Sequence, residues 1–101
     1  AFDTEEGDAI AKALGDKRTV ILQNHGLLTT GANVDTAVWL FISMDKCCQS
    51  QLLAEAAGKP TLIPNEIAVH AKAQAGSDLV LWASFQPLYD LIYKIQPDFL
   101  D

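Results

Sequence analysis

The fold turns on one run, Thr19-Val20-Ile21-Leu22-Gln23-Asn24-His25-Gly26-Leu27-Leu28-Thr29-Thr30-Gly31. Thr19 to Gln23 is a β-branched, apolar stretch without polar alternation, as expected of a strand covered on both faces. Asn24-His25-Gly26 breaks it, Leu27 to Thr30 resumes extended character, and Gly31 turns the chain. The expectation is two strands joined by a polar corner. An inner strand needs hydrogen-bonded neighbours on both edges, and two strands alone make a marginal sheet. The pattern therefore asks for strands that these residues do not supply.

Helical signals flank the run on both sides. Asp3 can cap a helix over residues 4–14, with Glu6 three residues on, Ile10, Ala11 and Leu14 on one face, and Gly15 past its end. Asn33 or Asp35 can cap a long helix from Val34 to Ala57, closed by Gly58 with Pro60 beyond. Residues 37–42, Ala-Val-Trp-Leu-Phe-Ile, are apolar all round, so Trp39, Phe41 and Ile42 are expected to pack against Thr19 to Gln23. Gln49, Ser50, Gln51 and Glu55 make the second half amphipathic. Pro64 suits the first position of a further helix carrying Ile67, Ala68, Ala71 and Ala75, closed by Gly76. Ser77-Asp78 opens the last segment, where Pro87 predicts two helical pieces; the second carries Leu88, Leu91, Ile92 and Ile95 and stops before Pro97, leaving a tail.

Length and composition set the outer limits. With 101 residues, 50% hydrophobic and 20% charged, the chain is one folded domain at most. A net charge of −6 disfavours nucleic acid and anionic lipid as partners. No apolar run approaches the roughly twenty residues that a membrane span requires. The acidic start, Ala1-Phe2-Asp3-Thr4-Glu5-Glu6, lacks the basic and apolar regions of an export signal. Cys47 and Cys48 are neighbours, pointing about 100° apart on a helix, so they do not pair with each other. They read as small, reduced, buried filler, which suits a cytoplasmic protein.

His25 is the residue singled out for chemistry. It sits at a corner directly after a buried strand, where sites concentrate, and Gly26 allows close backbone approach. A neutral imidazole can ligate zinc through one ring nitrogen while the other is held by an acceptor. Taken alone, a solitary histidine at a strand end is more often structural.

The words around it say more. Val20 to Gly31, then Val34-Asp35 and Ala37 opening a long helix, Met44-Asp45-Lys46-Cys47-Cys48-Gln49-Ser50-Gln51-Leu52 and Ala56-Ala57-Gly58 resemble the class II aldolase/adducin family. The likeness thins beyond Pro64-Asn65-Glu66, where Trp82 and the Pro-Asp-Phe ending are loose echoes. The resemblance implies an α/β fold, a three-layer class II aldolase-like sheet covered by helices, of which residues 1–101 form the carboxy-terminal part of a single domain. It also implies a metal-dependent aldolase or epimerase-like enzyme acting on a small hydroxy-carbonyl or sugar-phosphate substrate. Its divalent metal, usually zinc, is held by three histidines, and His25 takes the place of the third. The other two, in a His-x-His motif, and an upstream carboxylate base are absent here, so this chain alone is not expected to be active. Four subunits are the family's usual assembly, so a homo-oligomer is expected.

Other residues carry weaker signals. His70 lies in an alanine-rich helix and matches no family ligand, and Glu55 and Glu66 lack partners at catalytic spacing. Tyr89 and Tyr93 can close over a site, as the family's carboxy-terminal aromatic groups do, or simply pack an amphipathic helix. A different class remains open, a non-catalytic interaction domain like the adducin head, against which the retention of His25 argues. The dehydratase branch acting on a methylthio-sugar phosphate ranks lower, because its members tend to have a basic residue where this chain has Asn24.

Overall fold

The computed structural model describes residues 4–101, so the cap expected of Asp3 lies outside the described residues. The order is α1 (Thr4–Leu14), β1 (Thr19–Leu22), β2 (Gly26–Thr29), α2 (Val34–Ala57), α3 (Asn65–Ala75) and α4 (Asp78–Ile95), then a single 3-10 turn, Pro97–Leu100. The strands form an antiparallel hairpin with Thr19 opposite Thr29 and Leu22 opposite Gly26. Thr30 N–H donates to the Arg18 carbonyl at 2.8 Å and closes its base.

The hairpin is fastened to the start of α2. The Asn33 side chain accepts from Thr36 N–H at 2.8 Å, settling the choice between the two candidate caps. Thr29 Oγ1 donates to the Ala37 carbonyl at 2.8 Å, tying β2 to the helix. Gly31 passes so close that a Cβ there would meet Ala37 N at 2.8 Å and Thr36 Cβ at 2.9 Å. Thr36 is fully buried beneath this crossing, and its hydroxyl has no hydrogen-bond partner among the described residues.

Pro87 does not divide the last segment. One helix runs from Asp78 to Ile95, capped by Ser77 through Val80 N–H, with Pro87 inside it. A mid-helix proline costs about 3 kcal/mol in isolation. Here Leu81, Phe85, Leu88 and Ile92 form one stripe that crosses the proline, with Leu81 buried and the other three lining a groove with Val38 and Ile42 of α2. Splitting the helix would break that stripe. Gln86, just before the proline, donates through Nε2 to Asp35 Oδ2 at 2.7 Å and to the Trp82 carbonyl at 3.0 Å. The expected tail is the 3-10 turn, where Phe99 meets Tyr89 edge-on with ring centroids 5.7 Å apart.

The principal packing of α2 is therefore against α4, then β2, with β1 third. This differs from the expected seat on Thr19 to Gln23: Trp39 is half-buried and Phe41 exposed. The two-sided cover expected for β1 is also incomplete, since Ile21 is 63% exposed. Among the described residues the sheet has two strands, so the other edge of β1 carries no strand. Pro64 caps α3 from just outside it rather than opening it, and nearly every residue of α3 is exposed. A compact domain of this mass exposes about 5,600 Å²; this one exposes 8133 Å². Its radius of gyration is 16.3 Å, against about 13 Å for a compact domain of this length. The elements thus close a small core and leave much apolar surface open.

The Gly31 crossing generates a prediction. Gly31→Ala should destabilise the folded protein by about 1 to 3 kcal/mol, because the added methyl meets backbone that cannot yield. Urea denaturation of the full-length protein checks this; an unchanged midpoint would contradict the crossing.

Candidate metal centre

His25 is the last residue of the three-residue loop that joins β1 to β2. Its backbone N–H donates to the Leu22 carbonyl at 3.1 Å, forming a tight turn. Asn24 within that turn has φ 62° and Gly26 has φ 137°. Asparagine is among the few non-glycine residues that adopt the left-handed region readily. No heavy atom would lie within 4 Å of a Cβ at Gly26, so backbone conformation, not crowding, is what calls for glycine there. The Asn-His-Gly order thus has a conformational basis: both flanks of the histidine take positive φ, and the imidazole is left projecting from the hairpin tip.

The ring is largely solvent-exposed, and its Nε2 lies 3.8 Å from Oε1 of Glu6 on α1. Both side chains are well exposed, so any attraction between them is screened. Sequence spacing gave Glu6 only a capping role. It reaches the histidine because α1 packs along β1, a juxtaposition that separation in the chain does not reveal. Between α1 and β1 runs a groove of about 400 Å³, walled by Ala9, Ile10 and Ala13 on one side and Val20, Ile21 and Leu22 on the other, with Glu6, Gln23 and His25 completing its lining.

None of the other candidates lines this groove. His70 and Glu66 are exposed on α3, and Glu55 accepts from Gln51 Nε2 at 3.1 Å on an exposed stretch of α2. Tyr89 belongs to the contact with Phe99, and Tyr93 is exposed. Cys47 is exposed rather than buried, because the groove it shares with Cys48, Ile21 and Met44 is open in this chain. No group of three or more His, Cys, Asp or Glu side chains is arranged to hold a metal ion among the described residues. The donors present fit one corner of a metal site and not the whole of it. No described helix is long and apolar enough to cross a membrane.

A family model described as the class II aldolase and adducin N-terminal domain matches residues 1–52, the portion that contains α1, the hairpin and most of α2. The chain belongs to the class II aldolase and adducin family. The likeness to curated relatives runs further. The decarboxylase NovR of Streptomyces niveus is 46% identical over 94 residues, covering 93% of this chain and 35% of that protein. A 4-hydroxy-3-prenylphenylpyruvate oxygenase/4-hydroxy-3-prenylbenzoate synthase of Streptomyces roseochromogenus is 44% identical over 94 residues, covering 93% of this chain and 34% of that protein. A 5-deoxy-D-ribulose 1-phosphate aldolase of Bacillus thuringiensis is 30% identical over 66 residues, 64% of this chain and 31% of that protein. The chain thus spans about a third of the length of these relatives, and similarity to the first two continues well past the point where the sequence motifs thin. No solved structure matches the chain.

The turn geometry predicts an asymmetry at position 24. Asn24→Gly should keep the hairpin, whereas Asn24→Val should destabilise it by about 1 to 2 kcal/mol, the steric penalty of the left-handed region. Thermal melts of the two full-length variants would show the difference, and equal melting would refute the turn assignment.

Proposed function

We propose that this chain is the carboxy-terminal part of the domain of a metal-dependent lyase of the class II aldolase type, with His25 as one ligand of a divalent ion, zinc first among the candidates. The observation that supports this most is the presentation of His25: an exposed imidazole at a hairpin tip, fixed by two positive-φ neighbours, inside the segment that the family model matches. Structural zinc takes four protein ligands and catalytic zinc three, so the site needs donors beyond those that the described residues bring together. When bound, such an ion supplies Lewis-acid polarisation of a substrate carbonyl. The part of His25 is to hold its ring nitrogen at a fixed place, and the part of Asn24 and Gly26 is to fix the backbone that carries it.

The substrate class we assign is a small carbonyl compound with an adjacent oxygen, whether a hydroxy-carbonyl, a 2-oxo acid or a sugar phosphate. Aldol cleavage, and decarboxylation where the carboxylate is carried by the carbon next to a carbonyl, both break a carbon–carbon bond and leave electron density that the carbonyl oxygen can accept. That shared demand fits relatives named for either reaction. The open apolar surface supports an assembly of several copies, and two unpaired cysteines are in keeping with a cytoplasmic setting.

Metal analysis of the purified full-length protein tests the reading. Stoichiometric zinc is expected, falling by about tenfold or more in His25→Ala, since even the partners of ligands change affinity by that order. Full metal retention in the variant would refute the ligand assignment. A wild-type protein that takes up no metal and binds a protein partner instead would favour an adducin-like role.

A further inference from the structure

Resting on that reading of His25, we propose that Glu6 is a second ligand of the same divalent ion, its carboxylate and the His25 imidazole meeting on the metal from two different elements. Glu6 stands in the first turn of α1, and α1 packs along β1, so the carboxylate comes to the hairpin tip that follows the strand. Glu6 Oε1 and His25 Nε2 are 3.8 Å apart, and the two side chains are 41% and 64% exposed. That gap is too long for a hydrogen bond. Charge pairing between side chains as exposed as these contributes little, so it is helix–strand packing and not mutual attraction that brings the two together. Donor atoms of one zinc ion, bonded at about 2.0 to 2.2 Å and meeting near the tetrahedral angle, stand about 3.4 Å apart. A small side-chain rotation covers the difference.

The donor types agree with the spacing. Imidazole and carboxylate are combined in one class of catalytic zinc site, two histidines with a glutamate, and the carboxylate offsets one of the two charges of the ion. Among the described residues that surround His25 on this side, Glu6 is the one acidic side chain, and no lysine or arginine is present. Arg18, a cation next to β1, is committed elsewhere: one nitrogen donates to the Gly76 carbonyl at 2.9 Å and another lies 3.3 Å from Asp78 Oδ1. The place beside His25 thus presents a carboxylate and an imidazole without a basic side chain to repel a cation.

Competition for zinc against a chelator, measured on the full-length protein, tests the proposal. Glu6→Gln keeps the shape of the side chain and its capacity to serve at the start of a helix, and should weaken zinc binding about tenfold or more. A residue that only orients the histidine would also lower affinity, so X-ray absorption of zinc-loaded Glu6→His supplies a second readout. A ligand position gains one imidazole scatterer at about 2.0 to 2.1 Å, and an orienting position gains none. Wild-type affinity in Glu6→Gln, or an unchanged imidazole count or no zinc uptake in Glu6→His, would overturn the proposal. If His25→Ala loses the metal while Glu6→Gln keeps it, the role of His25 stands and that of Glu6 falls. If Glu6→Gln loses it while His25→Ala keeps it, Glu6 stays a ligand and the reading of His25 falls.

Discussion

The approach of the Gly31 backbone to the first turn of α2 holds the rest of the molecule in place. Only a residue without a side chain passes between the hairpin and Thr36, which is the one polar residue buried in the chain's described part. Around this crossing the Asn33 side chain takes up one of the N–H groups that the start of a helix leaves without an intrahelical partner, and the Thr29 hydroxyl donates to the Ala37 carbonyl. The direction of α2 is thereby set relative to the hairpin. Because α4 lies along α2, and Gln86 reaches Asp35 in that same first turn, the position of the last helix follows from the same joint. Away from the joint, at the far end of the hairpin, sits His25.

The open surface and the partial donor set occur on the same elements. One edge of β1 lacks a strand among the described residues, Ile21 is exposed beside it, and Leu62 and Ile63 of the α2–α3 connection are 82% and 64% exposed. Among the described residues, the same elements bring His25 one neighbouring carboxylate rather than a ligand set. Both features accord with a chain spanning about a third of its relatives' length. In physical terms, a strand that is apolar on both faces and a histidine exposed at its end ask for the same thing, further polypeptide packed against β1.

Local signals in the sequence carried most of the secondary structure. The bounds of α1 and α2 follow from residues that act within a few positions of themselves, such as Asn33 at one end and Gly58 at the other. The turn at Asn24-His25-Gly26 was legible for the same reason, since its backbone demands fall on asparagine and glycine. Long-range features were not. The stripe from Leu81 to Ile92 that carries α4 through Pro87 depends on α2 lying beneath it, and a proline rule applied to the segment alone has no access to that partner. The all-round apolarity of residues 37–42 showed that this part of α2 meets neighbours on several sides, yet could not rank α4 above β1. Glu6 was missed because its nearness to His25 arises from helix–strand packing across nineteen positions of sequence.

X-ray absorption at the metal edge of the full-length protein, compared with the same spectrum of His25→Ala, bears most directly on the role assigned to the hairpin tip. If His25 ligates the ion, the wild-type spectrum will show imidazole nitrogen at about 2.0 to 2.1 Å, the usual zinc–nitrogen distance, and the variant will lose one such scatterer. A first coordination sphere identical in the two proteins would contradict it, and would leave the Asn-His-Gly turn as a structural element of the hairpin alone.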